Sequence, residues 1–547
     1  MEHTPHSRTR ADADPGGPLH AASLDKQNFA QATVLMQQGQ LQEAQAIYQD
    51  LLQKHPNNFE CTRRLGWIAL QNGDYARAVD YGCRAIEIDP QSAPAHIDLG
   101  SAMYNLGHYE ASLECLDLAI ARDDTAAQAH NNRALALKAL GKTEAALASV
   151  QKALALDADQ AQAWLNLGTL QRQLDQHEDA LASYDRALAL QPTYAQAHLN
   201  RGNVLQDLGR LEEALAQFDQ ALALEPGIAQ ANWNKAIALL LGGNYSAAWP
   251  LYEWRWVNHQ PSAPTRHARL PVWDGSAPLA GKTLLVQSEQ GLGDTIQFCR
   301  YIRLLAAQGA HVVFEVDPAL VKVMEAVEGV SQVALKSASG QAPSIAADYQ
   351  VLLMSLPLCF KTTVDTIPAP AKYLEAAPEH LNRWRQRLGH RRGKRIGLVW
   401  RGNPQHQNDA KRNIPLDQLL ACLPPDFEYV SLQFRPSMQE QQALAAHGVL
   451  HTGDEVSDFA DTAAICEQLD LVISVDTSVA HLSGALGVPC WVLLAFSPDW
   501  RWLLQRKDCV WYPKTRVYRQ PQPGRWDVVM QEVAHDLQRP AASATGL

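Results

Sequence analysis

Glycine returns every 34 residues, at Gly39, Gly73, Gly107, Gly141, Gly209 and Gly243, and Asp175 fills the one vacant place in the register. Five residues after each turn stands a small side chain, Ala44, Ala78, Ser112, Ala146, Ala180, Ala214 or Ala248, where two helices must approach closely. Pro56, Pro90, Pro192 and Pro226 close four of the units by removing an N–H donor, and Asp124 and Ala158 hold that place in the middle ones. A period of this length belongs to stacked helical hairpins. Each hairpin buries an apolar side that only its neighbours can cover. The pattern predicts an α-solenoid of about seven units over residues 25–257, behind a disordered tail at 1–24.

These positions resemble the tetratricopeptide repeat, and Trp164, Leu167 and Gly168 carry the fullest match to its first-helix signature. The resemblance implies a concave binding face. Asn132, Asn166, Asn200 and Asn234 share one register position, with Asp98 one unit earlier. In the repeat fold that position lies on the first helix toward the concave side, where an amide pairs with both N–H and C=O of an extended peptide. A comparable asparagine ladder serves this purpose in protein O-linked N-acetylglucosamine transferases, so the likeness implies a protein or peptide acceptor held in the groove.

At 547 residues the chain has room for several domains. Residues 1–257 carry 30 acidic and 19 basic side chains and the remainder 28 of each, which places the whole net charge of -11 on the repeats and argues against a nucleic-acid partner. Nine cysteines occur without a Cys-x-x-Cys pair, so neither a zinc site nor a disulfide framework is indicated. The polar start lacks the apolar core of a signal peptide, and no apolar run approaches the ~18 residues of a membrane span. A cytoplasmic protein with no transmembrane segment is expected.

After a linker at 258–281 the pattern changes to short β-branched runs separated by helical stretches. Thr283 to Gln287, His311 to Val316 and Tyr349 to Leu353 read as buried strands of a first Rossmann-like lobe, residues 282–378. A charged helix at 379–392 connects it to a second lobe, residues 393–540 with a C-terminal helix. The strands expected there are Ile396 to Trp400, Tyr429 to Gln433, Leu471 to Val475 and Cys490 to Ala495. The fold class is therefore α + α/β, and ligands of such sheets sit beyond the carboxyl ends of the strands.

Two of those ends hold chemistry. Gly291-Leu292-Gly293-Asp294 follows the first strand; its glycines let the backbone approach a ligand, and Ile296 stands where a dinucleotide fingerprint needs a third glycine. Asp294, at a helix start, is placed to accept a proton from a bound hydroxyl, or simply to cap the helix. Asp476-Thr477-Ser478-Val479-Ala480-His481 follows strand Leu471 to Val475 and offers free N–H groups, hydroxyls and an imidazole to a diphosphate. Arg401, Lys411 and Arg412 follow the first strand of the second lobe and can neutralise the same anion without a metal. The two Asp-x-Asp pairs of the chain, at 12–14 and 157–159, lie outside both lobes, so no metal site and no cofactor is expected. Asp458 to Thr462 reads as a helix cap, and Ser497-Pro498-Asp499-Trp500 as a candidate wall of a sugar pocket.

The ordered pair of turns resembles the heptosyltransferase-like glycosyltransferases (glycosyltransferase family 9-like) over residues 282–540. That resemblance implies a GT-B pair of lobes, with Asp294 as general base on the acceptor hydroxyl. It further implies that Gly291, Gly293, Arg401, Lys411, Arg412, Asp476, Thr477, Ser478 and His481 bind a nucleotide-sugar donor. The first lobe is short for such a half, which leaves acceptor surface to the solenoid. The expected function is metal-independent, inverting glycosyl transfer to an acceptor hydroxyl, on a protein held by the repeat solenoid. The alternatives are a non-catalytic repeat scaffold with a degenerate or nucleotide-sensing GT-B unit, and transfer to a lipid or saccharide.

Overall fold

The computed structural model describes residues 18–259, 267, 269–336, 345–404 and 409–539. By its contacts the chain divides into two units, residues 1–204 and 205–547. The first is a run of antiparallel helical hairpins, from Pro18–Gln37 with Leu41–Lys54 to Ala161–Gln173 with His177–Leu190. Its first helix begins at Pro18, so part of the segment expected to be a tail is helical; residues 1–17 lie outside the described ones.

The turn glycines take the left-handed conformation that lets a helix stop and the chain reverse, with φ between 72° and 81° at Gly39, Gly73, Gly107 and Gly141. Asp175 does the same work at φ 56°, as an aspartate can at modest cost. Ala44, Ser112, Ala146 and Ala180 are fully buried. Ser112 fits an alanine place because its hydroxyl donates to the Gly100 carbonyl at 2.7 Å, which satisfies the group that burial would otherwise strand. At Gly168 an added Cβ would lie 2.7 Å from the Tyr184 ring, so the signature glycine marks a packing contact.

In the second unit the hairpins continue through Leu211–Leu224, Ala229–Leu241 and Tyr245–Tyr252. Two parallel sheets follow. The first comprises β1 (Thr283–Gln287), β2 (His311–Val316), β3 (Val330–Leu335) and β4 (Tyr349–Leu352), in the order β3-β2-β1-β4. The second comprises β5 (Arg395–Val399), β6 (Glu428–Ser431), β7 (Leu450–His451), β8 (Leu471–Val475), β9 (Cys490–Leu494) and β10 (Thr515–Arg519), in the order β10-β9-β8-β5-β6-β7. Read from the β7 edge, the second sheet runs third, second, first, fourth, fifth, sixth strand of its half, the doubly wound order of dinucleotide-type sheets.

β3, β7 and β10 go beyond the strands expected from sequence. All three sit at sheet edges, where one side of the ladder is open and apolar runs give way to alternation. β3 is half exposed along its length, in contrast to the fully buried β5. The connecting helix is Pro378–Leu388, ending at Gly389 with φ 68°.

The last hairpin helix packs on elements of both sheets. Tyr245 stacks on Trp511 and accepts from its indole N–H at 3.1 Å, while Trp249 donates to the Thr362 carbonyl at 2.8 Å and meets Trp500 edge-on. These rings are buried, and aromatic contacts of this kind add about 0.5–1.5 kcal/mol each beyond area burial.

Candidate active site

Ligand crevices in doubly wound sheets open where neighbouring strands send their crossovers to opposite faces. Those points lie between β1 and β4 in the first sheet and between β5 and β8 in the second. The loops after β1, β5 and β8 carry the residues singled out from sequence.

After β1 the chain enters helix Leu292–Phe298 with Gly291 as N-cap. Asp294 Oδ2 accepts the Gly291 N–H at 2.8 Å, so the capping role is real. Its other oxygen pairs with Arg501 Nη2 from the segment after β9. Arg501 is buried; it also donates to Gln297 Oε1 at 2.6 Å and Asp499 Oδ1 at 2.8 Å, and lies 4.3 Å from the Trp500 ring centre. Burial pushes the Asp294 carboxyl up, opposed by the Arg501 charge and the Gly291 N–H. The group is thus a more basic carboxylate than a solvated one, with the Arg501 charge working against that rise.

After β8, Thr477 is the N-cap of helix Ser478–Ala485 and makes no side-chain cap; its hydroxyl bonds Ser474 Oγ at 2.9 Å instead. His481 is buried, with Nδ1 2.9 Å from Tyr512 Oη and its ring stacked on Trp502 at 5.4 Å. Burial and the Arg501 charge lower its pKa to about 3, so the imidazole is neutral at physiological pH. Asp476, 3.9 Å from His481 Nε2, is pushed up to about 6 by burial and the nearby Asp499.

The two turns meet. A Cβ added at Gly293 would stand 2.8 Å from His481 Cδ2 and 3.5 Å from Ser478 Cα, so only a glycine admits this approach of one sheet's helix to the other's. A second tie between the halves is the Lys322–Asp458 ion pair at 2.8 Å.

After β5 the basic residues divide. Arg412 Nη1 donates to the Asp476 carbonyl at 3.1 Å and its guanidinium pairs with Asp409, which places its charge beside the β8 turn. Lys411 precedes it in the short helix Asp409–Arg412 and is exposed. Arg401 turns away, donating to Glu440 and to the Arg435 carbonyl. Although burial works against Glu440, its bonds to Arg401, Trp400 and Ser437 hold it down at about 2. Residues 405–408 of this loop lie outside the described ones.

Asp458 caps helix Phe459–Cys466, and the fully buried Asp461 accepts from Ser457 N–H, His380, Arg383 and Trp384 Nε1. This turn is therefore built into the structure. Trp500 is buried among Tyr245, Trp249 and Tyr252 and does not wall a pocket, whereas Asp499 is partly exposed.

In the first unit the asparagine amides are engaged between neighbouring repeats. Asn132 donates to Ser101 Oγ at 2.9 Å, Asn166 to Asn131 Oδ1 at 2.9 Å and Asn200 to Thr169 Oγ1 at 3.4 Å. Asn234, in the second unit, accepts from Gln230 at 2.6 Å. Gln162 and Gln196 likewise donate to Asn166 and Asn200 one turn on, so a glutamine ladder that sequence reading passed over runs beside the asparagines.

Arg501 was also passed over. Its signal is its setting between Trp500 and Trp502, because a guanidinium between two large rings belongs with them and not in water.

Models of the tetratricopeptide repeat match residues 29–93 and 199–254, 170–209, 69–136 and 127–160. Protein FlbA of Caulobacter vibrioides is 27% identical over 333 residues, 56% of this chain and 55% of FlbA, so the chain spans about half the length of that curated relative. Among solved structures, TTC0263, a thermophilic TPR protein of Thermus thermophilus, is 27% identical; the match covers 33% of this chain and 99% of that one, with TM-score 0.31. YrrB, a TPR protein with an unusual peptide-binding site, is 18% identical over 34% of this chain and 97% of its own, with TM-score 0.28. The N-terminal repeats are tetratricopeptide repeats, and no described helix is long and apolar enough to cross a membrane.

Proposed function

We propose that this chain, whose first roughly 250 residues are tetratricopeptide repeats, is a GT-B glycosyltransferase that moves a sugar from a nucleotide-sugar donor to an acceptor hydroxyl. The observation that carries the reading is the approach of Gly293 to His481, which brings a partly buried carboxylate and an anion-suited turn to one crevice. Asp294 takes the acceptor proton as the hydroxyl oxygen bonds to the anomeric carbon from the face opposite the diphosphate. The bond from that carbon to the phosphate oxygen breaks with inversion, and the negative charge passes to the leaving diphosphate. Lys411, Arg412, the Thr477 and Ser478 hydroxyls and the start of helix Ser478–Ala485 compensate that charge where it develops, without calling on a metal. Neutral His481 contributes a ring that is already oriented. The acceptor is a polypeptide held by the repeats.

A second reading, a nucleotide-responsive scaffold, draws on the Asp294–Arg501 pair, which ties up the base. Purified protein and Asp294→Asn are titrated with UDP-, GDP-, ADP- and CMP-sugars, and sugar release or transfer is followed for any that bind. Binding by both forms, with turnover in the wild type alone, supports the transferase. Binding without turnover by either leaves the scaffold, and no binding to any of them sinks both.

A further inference from the structure

The loop that presents Asp294 is held from outside its own sheet. Glu289 is buried, and its carboxylate accepts from Arg255 twice, Nε to Oε2 and Nη2 to Oε1, both at 2.9 Å, and from the Met354 N–H at 3.0 Å. Arg255 is 3% exposed and directs its remaining donors to Tyr252 O at 3.2 Å, Glu253 Oε1 at 2.6 Å and Ser355 Oγ at 2.8 Å. The next loop residue, Gln290, sits at φ 57°, a left-handed conformation that an L side chain keeps only when its surroundings impose it. Its amide donates to Tyr252 Oη at 3.3 Å. Tyr252 ends the last hairpin helix, and Arg255 opens the short helix that follows.

We infer that Arg255 and Tyr252 are positioning residues: the end of the repeat array fixes Glu289 and Gln290, and through them sets where Asp294 stands. A planar guanidinium with two parallel bonds resists rotation of its partner as a single contact cannot. The left-handed Gln290 then turns the chain so that Gly291 N–H meets the Asp294 carboxylate. The last repeat is therefore part of the machinery and not a detachable tether. Its link to turnover rests on the transferase reading; the placement of the loop does not.

The test uses full-length Arg255→Met and Tyr252→Phe, with Glu289→Gln as a third variant that keeps shape and removes the charge. Hydrogen exchange across 288–296 is read first, against β5 and β8 as a reference. Exchange at 290–292 is expected to quicken ~10-fold or more in Arg255→Met while the reference strands stay as in the wild type. Unchanged exchange there, or an equal rise in the reference strands, overturns the inference. If Arg255→Met does not fold, Tyr252→Phe and Glu289→Gln decide on the same criterion. With whichever nucleotide sugar the wild type consumes, kcat is expected to fall ~100-fold, the scale of a misplaced reacting group, with donor KM within about threefold; an unchanged kcat, or a loss confined to KM, overturns it. Should the wild type consume none, the transferase reading fails, and the exchange result still decides the positioning.

Discussion

In residues 18–204 the buried and half-buried polar side chains are spread along the repeats, whereas in the crevice between the two sheets charged groups converge on a single cation. Asn132, Asn166 and Asn200 each link to their own partner, with no rung sharing a partner with another. Asp294 and Asp499 both pair with Arg501, and Asp476 and His481 lie within reach of its charge. A distributed arrangement loses one bond when one residue changes. A convergent one leaves buried charge without compensation, and that is the costly event.

The sharpest way to break the comparison is Arg501→Leu. Removing one partner of a buried ion pair costs about 3–5 kcal/mol; here the loss falls mainly on Asp294, since water screens the partly exposed Asp499. Urea unfolding of the full chain should show that loss in the transition reporting residues 205–547. Arg501→Leu combined with Asp294→Asn should recover part of it, because neighbours in one network are not additive. Strict additivity would mean that the charges do not converge as described.

Gly293→Ala ranks next. The new methyl would meet an imidazole already fixed by Tyr512 and Trp502, so neither side yields, and overpacking of this kind costs about 1–3 kcal/mol. Gly291→Ala is the control: its φ is −94°, its nearest neighbour is Asp294 Oδ2 at 3.2 Å, and a change within about 0.5 kcal/mol is expected. Equal losses at the two glycines would show that the turn, and not the meeting of helices, sets the cost.

What could be read in the sequence followed what the physics repeats. The 34-residue phase exposed every hairpin turn, including Asp175, because each unit must reverse the chain in the same way. Central strands buried on both faces, β1, β2 and β8, were legible to the residue, while β3, β7 and β10 were not, because an edge strand needs no continuous apolar run. Gly293, Asp294 and His481 stood out because strand-turn-helix junctions are local. Arg501 and Arg255 did not, since each gains its partner from more than 30 residues away in sequence: 207 from Arg501 to Asp294 and 34 from Arg255 to Glu289. The turning away of Arg401 depends on Glu440, a long-range contact of the same kind.

The third effect is a pH dependence. Asp476 titrates at about 6, above the unfolded value near 3.8, because burial and Asp499 disfavour its charge. Above that value its carboxylate would face a diphosphate bound, as proposed, at the β8 turn; below it the group is neutral. Affinity for a nucleotide sugar, whose diphosphate has no proton to lose in this range, should therefore rise as pH falls through about 6, by up to ~10-fold, or about 1.4 kcal/mol. His481, held near 3, does not titrate here. Calorimetric titrations across the range should show the dependence, and Asp476→Asn should flatten it. A dependence that survives the substitution belongs to another group.

The smallest effects belong to the ladder. Asn132→Ala removes a 2.9 Å bond to Ser101 and should cost about 1 kcal/mol, a typical net value for one hydrogen bond. Asn200→Ala removes a 3.4 Å contact with Thr169, at the edge of hydrogen-bond length, together with the 2.9 Å bond accepted from Gln196, and should cost about as much. The two sites lie two repeats apart with no shared partner, so the double variant should match the sum within about 0.5 kcal/mol. A deficit larger than the sum would mean that the rungs act together, as they would if one ordered feature ran along them all. The same amides are the ones an acceptor peptide would need. An amide has two N–H donors and a carbonyl, so the bonds to Ser101 and Thr169 can persist while a peptide is bound, and Asn132→Ala should weaken peptide binding by about 1 kcal/mol. A peptide whose affinity is unchanged by Asn132→Ala does not use this amide.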